Sequence, residues 1–138
     1  MLTPVTDPDG APFWRYAAEG ELRVQACADC GEPRFPPRPC CPHCQSFGTR
    51  WQRVGGHGRI WSYVVPHPPL LPDYAAQAPY NVVVVELLDA PRIRLVGNLV
   101  ARAGGALNEV PADRLRIGAR VQVVFGPDGL PQWVLERP

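Results

Sequence analysis

Hydrophobic and polar positions along this chain alternate far more often than they recur at helical spacing. Leu22, Val24 and Ala26 alternate with Glu21, Arg23 and Gln25, the period of a half-buried strand. Further strand candidates lie between glycine and proline signals: Trp51 to Val54 with Arg59 to Val65, then Tyr80 to Leu88, Arg92 to Ala101, Arg120 to Phe125 and Gln132 to Glu136. Five strands of this length predict an all-β unit, a small OB-like barrel. A three-layer α/β arrangement would need crossover helices that the pattern lacks. Only one helix is predicted, over Ala11 to Glu19, with Pro12 in its first turn, Phe13, Trp14 and Ala17 on one side, and Gly20 to end it. At least one of its two rings should lie on the protein's own core.

Local pairing can be read across the turn at Asp89, Ala90 and Pro91. With Leu88 opposite Arg92, Glu86 faces Arg94, and Ile93 and Leu95 point to the other face. Trp61 and Tyr63, two residues apart, are expected on one inward face of the barrel. The segment from Pro66 to Pro79, PHPPLLPDYAAQAP, is the longest irregular stretch and is not polar. Leu70, Leu71 and Tyr74 would leave apolar surface in water unless covered, so this loop, with His67, reads as a docking surface for a partner. Residues 1–10 are polar and turn-rich, an arm.

The stretch CADCGEPRFPPRPCCPHC, from Cys27 to Cys44, changes the picture most. Two Cys-x-x-Cys pairs, Cys27/Cys30 and Cys41/Cys44, each offer two thiolates on a tight knuckle, and together they close a tetrahedron around one ion. Zinc suits soft sulfur donors, and four protein ligands leave no open position for a catalytic water, so the expected role is structural. Iron fits the same donor set. Cys40 offers an alternative start to the second pair, but the two-residue spacing favours Cys41. His43 sits inside that knuckle as a spacer. FPPRP, between the knuckles, is held extended by its prolines and reads as a rigid strap across the metal site.

Composition narrows the remaining choices. The 138 residues suffice for one core, and 46% hydrophobic content argues against disorder despite 18 prolines. The longest aliphatic run, Val82 to Val85, is too short to cross a bilayer, and no secretory leader is evident, so a cytoplasmic setting with reduced thiols is expected. All 14 basic residues are arginine, against 13 acidic ones. The net charge of +1 becomes about −1 once four thiolates hold a divalent ion. That is no footprint for nucleic acid, although a nucleic-acid-binding ribbon and OB module is the alternative reading.

Other chemistry is weak. GGHGR at Gly55 to Arg59 reads as a turn, not a phosphate cradle, because no helix start follows. The serines, Ser46 and Ser62, lie outside any G-x-S-x-G setting. His57 could pair with Asp73 or Glu86, and Cys40 has no general base beside it in the sequence to make it a nucleophile. No catalytic residue is assigned.

Taken together, FWRYAAEGELRVQAC, the CADCGEPRFPPRPCCPHC ribbon, WQRVGGHGRIWSYVV, PYNVVVVEL and LRIGARVQVVF resemble the acyl-CoA-associated zinc-ribbon and OB-fold family known as domain of unknown function thirty-five. The resemblance covers nearly everything from Phe13 onward. It implies a short helix, a rubredoxin-like zinc ribbon and an OB-fold, organised as 1–26 (arm, helix, lead-in strand), 27–50 (ribbon) and 51–138 (barrel). It further implies an accessory subunit, not catalytic alone, of a hetero-oligomer. The catalytic partner would be an acyl-CoA thiolase or a lipid-transfer-protein-like aldolase acting on steroid side chains. Cys27, Cys30, Cys41 and Cys44 match the family's ligands for structural zinc. The partner would carry the chemistry on an acyl-CoA substrate that this chain helps to hold. GGHGRIWSYVV and Cys40 depart from the family pattern.

Overall fold

The computed structural model describes residues 4–137. Met1 to Thr3 of the expected arm lie outside the described residues. Helix α1 spans Ala11–Ala18. Its start is fixed from upstream, where the Asp7 carboxylate accepts the Gly10 N–H at 2.6 Å and the Asp7 carbonyl accepts that of Ala11 at 2.9 Å. Gly20, at φ 78°, ends it in the left-handed region that suits glycine. Eight residues are too few for a helix to persist alone, so packing must hold it. Phe13 and Ala17, one turn apart, are buried, and the Phe13 ring meets Phe35 at 5.5 Å and Trp14 at 5.1 Å. At its C-terminal end the helix backbone rests on Gly129, where an added Cβ would lie 2.6 Å from Ala18 Cα.

Two antiparallel sheets follow. The first has the order β2–β1–β3, from β1 (Arg23–Cys27), β2 (Pro33–Arg34) and β3 (Thr49–Arg53). β1 and β3 pair along their whole length, from Arg23 with Arg53 to Cys27 with Thr49. This corrects one sequence expectation: Trp51 to Val54 does not join Arg59 to Val65 in the barrel. Its backbone hydrogen bonds go to the strand entering the first knuckle.

The second sheet has the order β6–β5–β4–β7–β8, built from β4 (His57–Val64), β5 (Val82–Leu87), β6 (Arg94–Gly97), β7 (Arg120–Phe125) and β8 (Pro131–Leu135). It closes where Leu99 bridges Trp133: the Val100 N–H donates to the Trp133 carbonyl at 2.8 Å, and the Trp133 N–H donates to that of Asn98 at 3.0 Å. A five-stranded closed sheet in this order is the expected OB barrel. Asn81 secures the closure, since its side chain accepts from the Leu99 N–H at 2.6 Å and donates to the Leu99 carbonyl at 2.8 Å. β4 is central because it pairs with β5 on one edge and, through His57 to Arg59, with β7 on the other. Gly58 makes that double pairing possible, as a Cβ there would come within 2.8 Å of the Glu86 carbonyl.

Val83, Val85 and Leu87 alternate inward with Ile60, Ile93, Leu95, Val121 and the fully buried Trp133. Glu86 faces Arg94, their charged groups 3.8 Å apart, as the turn predicts. Trp61 and Tyr63 overturn the inward assignment. Ile60 pairs with Val85 and Ser62 with Val84, so Trp61 is the extra residue of a β-bulge without a partner of its own. It turns outward, 49% exposed, with the Arg94 guanidinium 4.0 Å above its ring. Tyr63 comes into register with the buried Val83 but remains 38% exposed near the strand end.

The 66–79 loop contains a single turn of helix, α2 (Pro72–Ala75). Tyr74 packs on Tyr80 at 5.9 Å, whereas Leu71 stays 60% exposed. No helix among the described residues is long and apolar enough to cross a membrane.

Candidate metal centre

The two knuckles have the same backbone construction. In the first, the Gly31 N–H donates to the Cys27 carbonyl at 3.0 Å and the Cys27 N–H to that of Glu32 at 3.0 Å. In the second, Gln45 donates to Cys41 and Cys41 to Ser46, both at 2.8 Å. Each turn brings its two sulfurs to one side. The knuckles are joined to each other by the Ser46 hydroxyl, which donates to the Asp29 carboxylate.

The Sγ atoms of Cys27, Cys30, Cys41 and Cys44 all lie within 4.8 Å of one another, and the cysteines are free. Cys27 and Cys44 are 3.6 Å apart and Cys30 and Cys41 3.7 Å apart, far beyond a disulfide bond. A tetrahedron with metal–sulfur bonds of about 2.3 Å has edges of about 3.8 Å, so the donor set fits zinc in both chemistry and dimension. Cys40 stands outside the cluster, its thiol turned to the Cys41 carbonyl at 3.7 Å.

Proton affinities in the cluster are split. The Cys27 thiol is lowered from 9.0 to about 6, chiefly by the Cys30 backbone N–H; burial opposes this, and the Asp29 N–H and neighbouring thiols add to it. For Cys44 the Ser46 N–H favours the thiolate, but the other three sulfurs and burial outweigh it and push the group up to about 12. Sulfurs this close cannot all ionise on their own, and a divalent cation is what would permit four thiolates.

The other candidate residues are spread over the surface. His57 Nδ1 lies 2.5 Å from Glu136 Oε1, so its carboxylate partner directly follows the last strand and is neither Asp73 nor Glu86. Arg120 contacts the same carboxylate at 3.5 Å. Of the GGHGR segment only Gly55 and Gly56 form the connection, where the Gly55 N–H donates to Asp89 Oδ2 at 2.7 Å and Val123 donates to the Gly56 carbonyl at 2.8 Å. His57, Gly58 and Arg59 already belong to β4, which corrects the expectation of a turn throughout. His67 Nδ1 lies 2.9 Å from the Val65 carbonyl. Within the strap, Phe35 packs against Phe13 of the helix.

A buried polar network beside the cluster has no counterpart in the sequence reading. Gln25 and Arg34, both buried, are cross-strand partners, and Gln25 Oε1 accepts from Arg34 Nε and from the Arg38 N–H, each at 2.7 Å. The only available signal was a polar residue flanked by apolar ones in the lead-in strand.

Comparison with known proteins agrees with this architecture. Residues 14–50 match the family described as "ChsH2, rubredoxin-like zinc ribbon domain", and residues 51–126 match "ChsH2, C-terminal OB-fold domain". A "DUF35 domain-containing scaffold protein" of Methanothermobacter thermautotrophicus is 31% identical over 125 residues, 85% of this chain and 86% of that protein. A "Probable enoyl-CoA hydratase alpha subunit" of Thermomonospora curvata is 38% identical over 118 residues, covering 86% of this chain. The chain spans 33% of that relative's length, so the match concerns one part of a larger protein. Among solved structures, the "Ltp2-ChsH2(DUF35) aldolase" superposes with a TM-score of 0.81 at 34% identity, over 96% of this chain and 98% of the matched one. The chain belongs to the ChsH2, or DUF35, family of zinc-ribbon and OB-fold proteins.

Proposed function

We propose that this chain is an accessory subunit, without bond-making chemistry of its own, of a thiolase-like enzyme acting on acyl-CoA. The partner would be a thiolase or a lipid-transfer-protein-like aldolase, including those that shorten steroid side chains. The observation that carries this reading is the near end-to-end superposition on a chain of an aldolase complex at 34% identity. The hydratase-subunit and scaffold names of its relatives support the accessory-subunit part of this reading. Cys27, Cys30, Cys41 and Cys44 would hold one structural zinc, which supplies a cross-link between the knuckles. Exposed Leu71 in the 66–79 loop and exposed Phe47 beside the second knuckle give the partner apolar surface to cover. Acyl-CoA would be held jointly by the two chains.

Co-expression with a thiolase-like chain from the same genome, followed by size-exclusion chromatography, is the test. A stable hetero-oligomer is expected, and separate elution at micromolar concentration overturns the proposal. The outward-facing Trp61 is the one observation favouring a nucleic-acid module instead. Filter binding that weakens steeply with salt would establish that reading.

A further inference from the structure

Arg34 is only 6% exposed and carries a permanent charge. Its Nε donates to Gln25 Oε1 at 2.7 Å and its Nη2 to the Arg38 carbonyl at 3.0 Å, while the buried Nη1 has no hydrogen-bond partner. Among the described residues no carboxylate forms an ion pair with it. A buried guanidinium with neither a counter-charge nor full hydrogen bonding is strongly unfavourable, so a negative group must act on it.

Register says where that group is. Arg34 is the cross-strand partner of Gln25, and Cys27 lies two residues further along β1. All three side chains therefore share one face of the ribbon sheet, with Gln25 and Cys27 about 7 Å apart along the strand. The same register places Glu32 on that face, opposite Cys27, but its carboxylate is turned to Arg92 at 3.4 Å. The other negative group there is the four-sulfur cluster, which carries about −2 when its thiolates hold a divalent ion. Arg34 also reaches the second knuckle through the Arg38 carbonyl, three residues before Cys41.

We propose that Arg34 is the internal counter-cation of the four-sulfur centre and a positioning residue that holds the approach to the second knuckle in register with the first. This rests on the assignment of a metal to Cys27, Cys30, Cys41 and Cys44. Metal analysis of the wild-type protein tests that assignment separately.

The experiment measures zinc release from the full-length zinc-loaded protein to a chelator, with cobalt-substituted spectra alongside. Outer-shell partners of metal ligands typically contribute 10–100-fold to affinity, so Arg34→Met should lose zinc at least roughly tenfold faster. Arg34→Lys keeps the charge but not the forked hydrogen bonds to Gln25 and Arg38, so its release should fall between wild type and Arg34→Met, with an unshifted sulfur-to-cobalt charge-transfer band. Gln25→Glu is a near-isosteric second variant that preserves both hydrogen bonds but gives Arg34 a competing carboxylate. It should also speed release, which a packing role would not produce, and it serves if Arg34→Met does not fold. Wild-type release rates in Arg34→Met or Gln25→Glu, or equal losses in Arg34→Lys and Arg34→Met, overturn the proposal. Inorganic phosphate that protects the wild type and not Arg34→Met overturns it in favour of an anion site.

Discussion

Gly31 and Gln45 occupy the same place in the two knuckles. Each lies four residues after the first cysteine of its pair, each donates its N–H to that cysteine's carbonyl, and each has a positive φ, 79° and 64°. Glycine adopts this conformation freely, whereas a side chain there costs roughly 1–2 kcal/mol. Gln45→Gly should therefore stabilise the second knuckle by about 1 kcal/mol after the greater entropy of the unfolded chain is counted. Thermal melting of the zinc-loaded protein checks this, and a lower midpoint would show that the Gln45 side chain, which reaches the Pro42 carbonyl at 3.3 Å, outweighs the backbone cost.

The cluster geometry separates five cysteines into four and one. Cys27→Ala and Cys41→Ala should purify without stoichiometric zinc and melt early, because structural zinc contributes roughly 10–16 kcal/mol to such modules. Cys40→Ser should keep its zinc and its melting point. Elemental analysis of the three variants decides, and loss of metal from Cys40→Ser alone would reassign the ligand set.

In metal-stripped, reduced protein, Cys27 should titrate near pH 6 while Cys44 keeps its proton. Because the folded value for Cys27 is below its ordinary 9.0, its contribution to stability is present above that value and is lost as pH falls through about 6. Cys44 acts oppositely: its contribution is present below 9.0 and is lost as pH rises towards about 12. Far-ultraviolet thiolate absorbance should show a step near pH 6 that Cys27→Ser removes.

Two tryptophans of the barrel should respond very differently. Trp133 is fully buried, and Trp133→Ala should cost about 3–5 kcal/mol or abolish folding. Trp61 is the extruded bulge residue with the Arg94 guanidinium over its ring, and Trp61→Ala should cost about 1 kcal/mol or less. Urea denaturation of the two variants measures the difference, and comparable losses would return Trp61 to the core.

These contrasts also show what the chain disclosed before folding. Ligand spacing in the knuckles is local, so Cys27, Cys30, Cys41 and Cys44 could be picked out directly, and a tight turn fixed Glu86 against Arg94 for the same reason. The bulge at Trp61 was hidden, because ignoring one residue leaves the alternation of Ile60, Ser62 and Tyr63 equally acceptable. β3 was assigned to the wrong sheet because TRWQR has no apolar alternation to name its partner, and β1 lies far upstream. Buried Gln25, Arg34 and Asn81 were invisible for another reason. A polar side chain in a strand reads as outward, and the groups that satisfy it are distant in sequence.

Because β3 runs from Thr49 to Arg53, the ribbon sheet crosses the point between Arg50 and Trp51 at which the two family matches meet. A splice there would bisect a strand and leave both fragments with raw backbone edges. Chimeras that exchange the two modules between relatives need their junction after Val54, whose N–H still bonds the Leu22 carbonyl at 3.0 Å. The glycine pair that follows is where the molecule can be cut and rejoined with each sheet intact.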